Sequence, residues 1–171
     1  MLNFIRPTNA NGDAVLLFWF EETKPYQWFR RGDAFDEAIQ TRFGALHEAA
    51  TSGRLDVWRA HPVYSLSLIL ILDQFSRNLY RDTPRAFAED AHALEVAREA
   101  LARRFDHLVD DKRRAFFYMP FMHAENLSVQ EECVALFKAQ LPTTVNVPFA
   151  VEHRDIVKRF GRFPHRNETF G

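Results

Sequence analysis

A single cysteine, Cys133, is all the thiol chemistry this chain carries, which excludes an intramolecular disulfide and a cysteine-rich metal site. An excess of either charge is missing too. Lysine and arginine number 22 against 23 aspartate and glutamate, a formal net charge of -1, so no global field draws the chain to nucleic acid or an anionic membrane. No run approaches the roughly 20 apolar residues that span a bilayer. The opening MLNFIRPTNANGD lacks the continuous apolar stretch of a signal peptide, so a cytoplasmic protein is expected. No segment alternates apolar and polar residues for long enough to make a strand; the VNV within LPTTVNVP is too short. Absent as well are a nucleophile elbow, a phosphate-cradling glycine loop and a zinc-protease helix. No cofactor and no metal are expected.

What is present is helix. The 171 residues suffice for one domain with a full core, and 47% hydrophobic with 26% charged residues is ordinary for a globular protein. Phenylalanine is not ordinary: 17 copies predict aromatic packing between helices and leave room for an exposed aromatic patch at a homodimer interface. The organising stretch is His61 to Tyr80, HPVYSLSLILILDQFSRNLY. Six of the seven positions from Leu66 to Leu72 are apolar, so a helix there is greasy in every direction and belongs in the interior. It ends in the polar set Asp73, Gln74, Arg77 and Asn78. Polar groups entering a core cost about 1–3 kcal/mol each unless they are paired.

Taken in order, residues 1–10 read as a poorly ordered lead-in to one all-helical domain over 11–171. Asn11 or Asp13 caps a first helix to Glu22, Lys24-Pro25 stops it, and a loop with Tyr26, Trp28 and Phe29 packs inward. Asp33 caps a second helix with Phe35, Ile39, Phe43, Leu46 and Ala50 on one face, closed by a left-handed Gly53. A short turn around Leu55 and Trp58 leads to Pro62, which opens the central helix. Thr83-Pro84 predicts a helix over about 84–104 that turns Phe87, Ala91, Leu94, Ala97 and Leu101 inward. A fifth helix runs from Asp110 or Asp111 to about Asn126, kinked at Pro120. Ser128 to Glu131 fits a capping box for a sixth helix to about Ala139. LPTTVNVP is a break. A last helix, from about Phe149 to Phe160 and ended by Gly161, puts Phe149, His153, Ile156 and Phe160 on one stripe, so that His153 faces the core. The fold class is all-α, a compact domain of six to seven helices packed as hairpins.

Three polar clusters offer chemistry. Asp73 and Arg77 are four apart and share a helical face, as do Gln74 and Asn78. Such a pair either stitches a buried helix to its neighbours or opens a ligand site at the mouth of a groove. His123 and Glu125, two apart, diverge on a straight helix, which suits bonds to other helices better than a shared metal. In HRDIVKRFGRFPHRN, His153 reads first as a satisfied core histidine. Arg162, His165 and Arg166 then place three donors within five residues, suited to phosphate or carboxylate unless they pair with Asp73, Glu125 or helix-end carbonyls.

The ordered set DQFSRN, TPRAFAEDAHAL, FFYMPFMHAEN and HRDIVKRFGRFPHRN, with the early FWF and Trp28-Phe29, resembles the bacterial domain of unknown function 924 family over roughly residues 14–171. That resemblance implies an all-α fold of the tetratricopeptide-like superfamily. It implies no established reaction and no catalytic residue. Two departures stand out: LPTTVNVP replaces a longer helical segment, and family members run on past the PHRN motif into a polar tail, whose absence would leave a pocket more open.

The leading functional reading is binding of an anionic small molecule, or an acidic segment of a protein partner, in a cleft lined by arginine and histidine. Its candidate residues are Asp73, Arg77, Asn78, His123, Glu125, His153, Arg162, His165 and Arg166. An alternative is an acid–base enzyme, a hydrolase for example, pairing Asp73 or Glu125 with His123, His153 or His165. A third is a polar network with a structural role only. Convergence of the clusters on a solvent-reachable cavity favours the first two. A histidine and a carboxylate within about 2.6–3.2 Å on its wall favours the enzyme.

Overall fold

Caps and prolines set most helix boundaries in the computed structural model, which describes residues 9–170. The lead-in expected over 1–10 lies outside the described residues except for its last two positions. Helix α1 (Ala10–Leu17) starts earlier than expected because Asn9, not Asn11 or Asp13, is the cap: its side chain accepts from the Gly12 amide at 3.2 Å. A π-helical turn over Phe18–Glu22 prolongs it. Pro25 then opens a helical turn, α2 (Pro25–Trp28), where a loop was expected, since proline's fixed φ fits the first helical position. Trp28 packs inward as expected; Tyr26 and Phe29 do not.

Helix α3 (Asp33–Thr51) buries Phe35, Ile39, Phe43 and Ala50 as its spacing predicts, and adds His47. Gly53 ends it at φ +76. After a 3-10 turn at Asp56–Ala60 comes α4 (Pro62–Ile69), continued by a second π segment over Leu70–Phe75 and by α5 (Ser76–Leu79). Every side chain from Leu66 to Leu72 is buried, which is the all-round burial its composition requires.

Thr83-Pro84 opens only a 3-10 turn, Pro84–Phe87, and α6 (Asp90–Ala102) starts after it. A cap with proline next to it marks where a helical segment begins but not how long it runs. The fully buried face of α6 is Ala93, Val96, Ala97 and Ala100; of the expected stripe Ala97 lies on it, Leu94 and Leu101 pack half-buried at its side, and Ala91 is exposed. The small residues of that face let α6 lie against α4. Helix α7 (Asp111–Met122), capped by Asp110, contains Pro120 and stops short of Asn126. Asn126, not Ser128, caps α8 (Leu127–Gln140), accepting from the Val129 amide.

Helix α9 (Asn146–Phe160) begins ahead of Phe149, and Gly161 ends it at φ +72 as expected. It buries Ala150 and Val157, while Phe149 and Phe160 are 52% and 51% exposed. The inward stripe is therefore rotated, and His153 sits half-buried at its edge instead of facing the core. A 3-10 turn at Pro164–Arg166 and a last turn, α10 (Asn167–Phe170), come after it. Helices α1, α6 and α7 pack on α4, α3 packs on the π segment that continues it, and α7, α8 and α9 pack in succession. Among the described residues there is no strand, and no helix is long and apolar enough to cross a membrane.

Gly12 is where α1 crosses the central helix. A Cβ there would come within 2.5 Å of the Tyr64 ring, which is buried and accepts a hydrogen bond from the Asn9 amide at 2.7 Å. Ser67 also donates to the Gly12 carbonyl at 3.0 Å. Gly12→Ala should therefore destabilise by about 1–3 kcal/mol through overpacking. Urea denaturation checks this, and an unchanged midpoint would contradict it.

Candidate functional site: a buried polar ring between two clefts

Where the apolar central helix ends, its backbone widens into the π segment that carries Asp73 and Gln74. Such turns are rare and recur at functional sites. The carbonyls of Leu72 and Asp73 accept from side chains one turn on, the Ser76 hydroxyl at 2.6 Å and the Arg77 guanidinium at 2.7 Å. Asp73 is fully buried. Its Oδ2 accepts from Gln74 Nε2 at 2.6 Å, and its Oδ1 faces His123 Nδ1 at 2.6 Å and Arg77 NH1 at 3.4 Å. The expected Gln74–Asn78 pair does not form. Gln74 turns to Asp73, and Asn78 donates to Asp36 on α3 at 2.7 Å.

His123 is held from both sides. It is the residue that ends α7, and the side-chain amide of Gln130, fully buried on α8, donates to the flanking carbonyls of Met122 at 2.6 Å and Ala124 at 2.7 Å. The imidazole is thus fixed at a helix end and aimed at Asp73.

Asp90, the first residue of α6, completes the arrangement. Arg77 grips it with both terminal nitrogens, at 2.8 and 3.1 Å, and Arg166 reaches its Oδ2 at 3.1 Å. Arg166 also donates to the His123 carbonyl at 3.1 Å and lies between the Phe87 and Phe163 rings, 4.3 and 4.8 Å from their centroids. Asp73, His123, Arg166, Asp90 and Arg77 therefore close a ring. Its two arginines balance its two aspartates.

Two clefts flank the ring. One, of about 210 Å³, lies under Trp28 and Phe29 and is lined by Arg30, Gln74, Arg77, Asn78, Arg81 and His123. The other, of about 330 Å³, is lined by Phe87, Leu94, Asp90, Glu125, His123 and Arg166 among others. His123 belongs to both. A larger groove of about 400 Å³ between Trp28, Phe116 and the Leu141–Asn146 segment carries no histidine and no arginine.

The remaining candidates stand further out. Glu125 lines the second cleft, but its Oε1 accepts from the Phe163 amide at 2.8 Å and so ties down the C-terminal turn. His153 bonds through Nδ1 to the Phe149 carbonyl at 2.8 Å, and its ring edge meets Phe163. Arg162 and His165 are exposed, so of the three expected donors only Arg166 turns inward. The sequence reading missed Asp90, Arg30, Arg81, Asp36 and Gln130. The helix expected over about 84–104 put Asp90 past its first turn, as one of several charges off the apolar stripe, so nothing marked it. Among the described residues no group of three or more His, Cys, Asp or Glu is placed to hold a metal ion.

Burial opposes a charge on Asp73, yet the charges of His123 and Arg77, with hydrogen bonds from His123 and Gln74, outweigh it and hold the carboxyl below its ordinary range. His47 behaves in the opposite sense. Burial, with the charge of Arg85, pushes its imidazole from 6.5 down to about 4. Ser76 gives its one proton to the Leu72 carbonyl, so it accepts from His47 Nε2 at 2.7 Å. His47 Nδ1 is left buried without a partner among the described residues.

An all-helical chain with a charged ring closed inside it is the class these elements define. The description "Bacterial protein of unknown function (DUF924)" matches residues 15–171, and the chain belongs to that family. A solved structure of a protein of unknown function from Agrobacterium tumefaciens is similar throughout: TM-score 0.88, 40% identity, 93% of this chain and 89% of that one covered. No curated protein matches the chain.

Arg77→Ala leaves the buried Asp73 and the partly buried Asp90 short of a partner and should cost about 3–5 kcal/mol. Arg98 pairs with Glu132 in the open, so Arg98→Ala should change stability by about 1 kcal/mol or less. Equal denaturation midpoints and slopes for the two variants would refute the difference. Acidification should act through both buried groups in one direction. The unfolded chain protonates a histidine near 6.5 and folded His47 only near 4, so stability falls between those values as pH falls, by roughly 3 kcal/mol in all. Stability that depends on ionised Asp73 is present above its ordinary value of 3.8 and is lost below it, as pH falls through the depressed folded value. His47→Gln should flatten the first loss and spare the second; chemical denaturation across that pH range checks it.

Proposed function

We propose that this protein binds a small anionic molecule in the cleft under Trp28 and Phe29. The observation that carries the reading is the lining itself: three arginines, Arg30, Arg77 and Arg81, converge there with Gln74, Asn78 and His123. Arg77 and Arg81 spend part of their donor capacity on Asp90 and Asp36, the latter by two bonds at 2.7 and 2.8 Å. Arg30 makes no hydrogen bond or ion pair among the described residues and brings an uncompensated positive charge. Guanidinium groups are suited to carboxylate and phosphate by geometry as well as charge.

The second cleft fits an anion less well, because Asp90 and Glu125 outnumber Arg166 there. At about 210 Å³ the chosen cleft is smaller than the roughly 300–1,000 Å³ of pockets that hold drug-sized ligands. A metabolite of a few carbons matches that size better than an extended acidic peptide. The side-chain oxygens of Gln74 and Asn78 carry no hydrogen bond from the described residues, so they supply acceptors for hydroxyl or amide groups on the same ligand.

Thermal-shift measurements with inorganic phosphate, small carboxylic acids, phosphorylated sugars and nucleotides test this. A ligand at about 100 times its dissociation constant adds about 2.7 kcal/mol. The expected result is stabilisation of the wild type by an anion, reduced in Arg30→Ala, whose exposed and unpaired side chain leaves the fold intact. Equal stabilisation of the two proteins, or none of the wild type, would overturn the reading.

A further inference from the structure

Of the seven histidines, only His123 stands in the wall of both clefts. An ionised carboxylate can only accept, so with Asp73 Oδ1 at 2.6 Å the proton of the neutral imidazole is on Nδ1. The lone pair is then on Nε2. No hydrogen bond from the described residues reaches that nitrogen, and the side chain keeps 16% exposure although Asp73 behind it has none. A carboxylate that fixes the tautomer of a histidine, and so leaves the other nitrogen free toward a cavity, is the arrangement general-base catalysis requires. The rare backbone turn under Asp73 and the clamp of Gln130 on the carbonyls beside His123 serve that geometry. Neither is needed for a hydrophobic core.

We infer that His123 is the proton-transfer group of the anion cleft, with Asp73 as its positioning residue, so that this protein performs acid–base chemistry on a small carboxylate or phosphate. The inference rests on the anion reading above. In the forward step the Nε2 lone pair forms an N–H bond with a proton taken from the bound anion or from a water beside it. The electron pair of the broken bond stays on the atom that loses the proton. The imidazolium keeps its Nδ1–H bond to Asp73, which remains ionised, and the proton returns from Nε2 to the product. The charged side chains around the two clefts that share His123 are Asp73, Asp90 and Glu125 on one hand and Arg30, Arg77, Arg81 and Arg166 on the other, with His153 and His165 nearby. A bound anion adds a negative charge beside them, and the proton it draws onto His123 is what the test reads.

The test uses the whole protein with inorganic phosphate as the probe. Calorimetric titrations near neutral pH, in buffers of different ionisation enthalpy, read the protons taken up on binding. The wild type is expected to take up protons as phosphate dianion binds, and His123→Gln to bind phosphate with that uptake lost. Binding without uptake in the wild type, or equal uptake in the two proteins, overturns the inference and leaves the anion reading standing. Absence of binding, by heat and by thermal shift, overturns both. Nitrogen NMR reads the tautomer directly, and its wild-type arm does not depend on any variant's folding. The Nδ1–H tautomer is expected at His123, moving toward Nε2–H in Asp73→Asn, whereas Nε2–H in the wild type would sink the inference.

Discussion

A carboxylate with no access to water sits at the end of the most apolar helix in the chain, and much of the local structure serves it. Leaving an ionised group in such a place is costly unless every lone pair is engaged. Asp73 meets that demand with three side chains drawn from two regions: Gln74 and Arg77 from its own helix, His123 from the end of α7. The helix does not run on as a plain α-helix through this point. It widens into a π turn, and two of its carbonyls accept from the side chains of Ser76 and Arg77. Local backbone regularity has been given up for a paired charge.

The aromatic excess is what holds the surroundings rigid. Trp19 stacks on Trp28 at 5.6 Å, and Phe116 meets Trp19, Phe20 and Trp28 edge-on. Trp28 donates its indole proton to the Trp19 carbonyl at 3.0 Å and to Thr23 at 2.9 Å, so even its polar edge is fixed. The same Trp28 lines the arginine cleft. Core packing and the candidate site therefore share a side chain, and a change in the aromatic cluster would be felt in the cleft.

Charge is distributed unevenly between ring and rim. Inside the ring, Arg77 and Arg166 are matched by Asp73 and Asp90, which makes it a good structural knot and a poor electrostatic magnet. The rim residue Arg30 carries the unmatched charge. In the proposed function that division has two parts: the neutral ring positions His123, while the rim attracts an anion toward it.

Much of the fold was legible in the chain. Gly53 and Gly161 ended helices as read, the Leu66–Leu72 run went inside, and Asp73 and Arg77 met one turn apart, because each of these depends on residues within a few positions of one another. Helix faces were less secure. On α6 and α9 the buried stripe is rotated from the one that bulky residues suggested, since alanines at a close crossing bury as completely as phenylalanine does. The site was half visible. Asp73, Arg77, His123 and Arg166 were singled out by type, but the bonds that join them across the fold were not: His123 and Asp73 are 50 residues apart and Arg166 and His123 are 43 apart, and Asp90 read as one more charge within a helix expected over about 84–104. The sequence by itself determined that the chain is helical, the glycine stops at Gly53 and Gly161, and the need for a partner to a buried charge, all of which depend on local geometry and solvation. Which side chains answered that need, and the opening left beside His123, were decided only by how the helices pack, because a hydrogen bond across 50 residues leaves no mark on the spacing of either end.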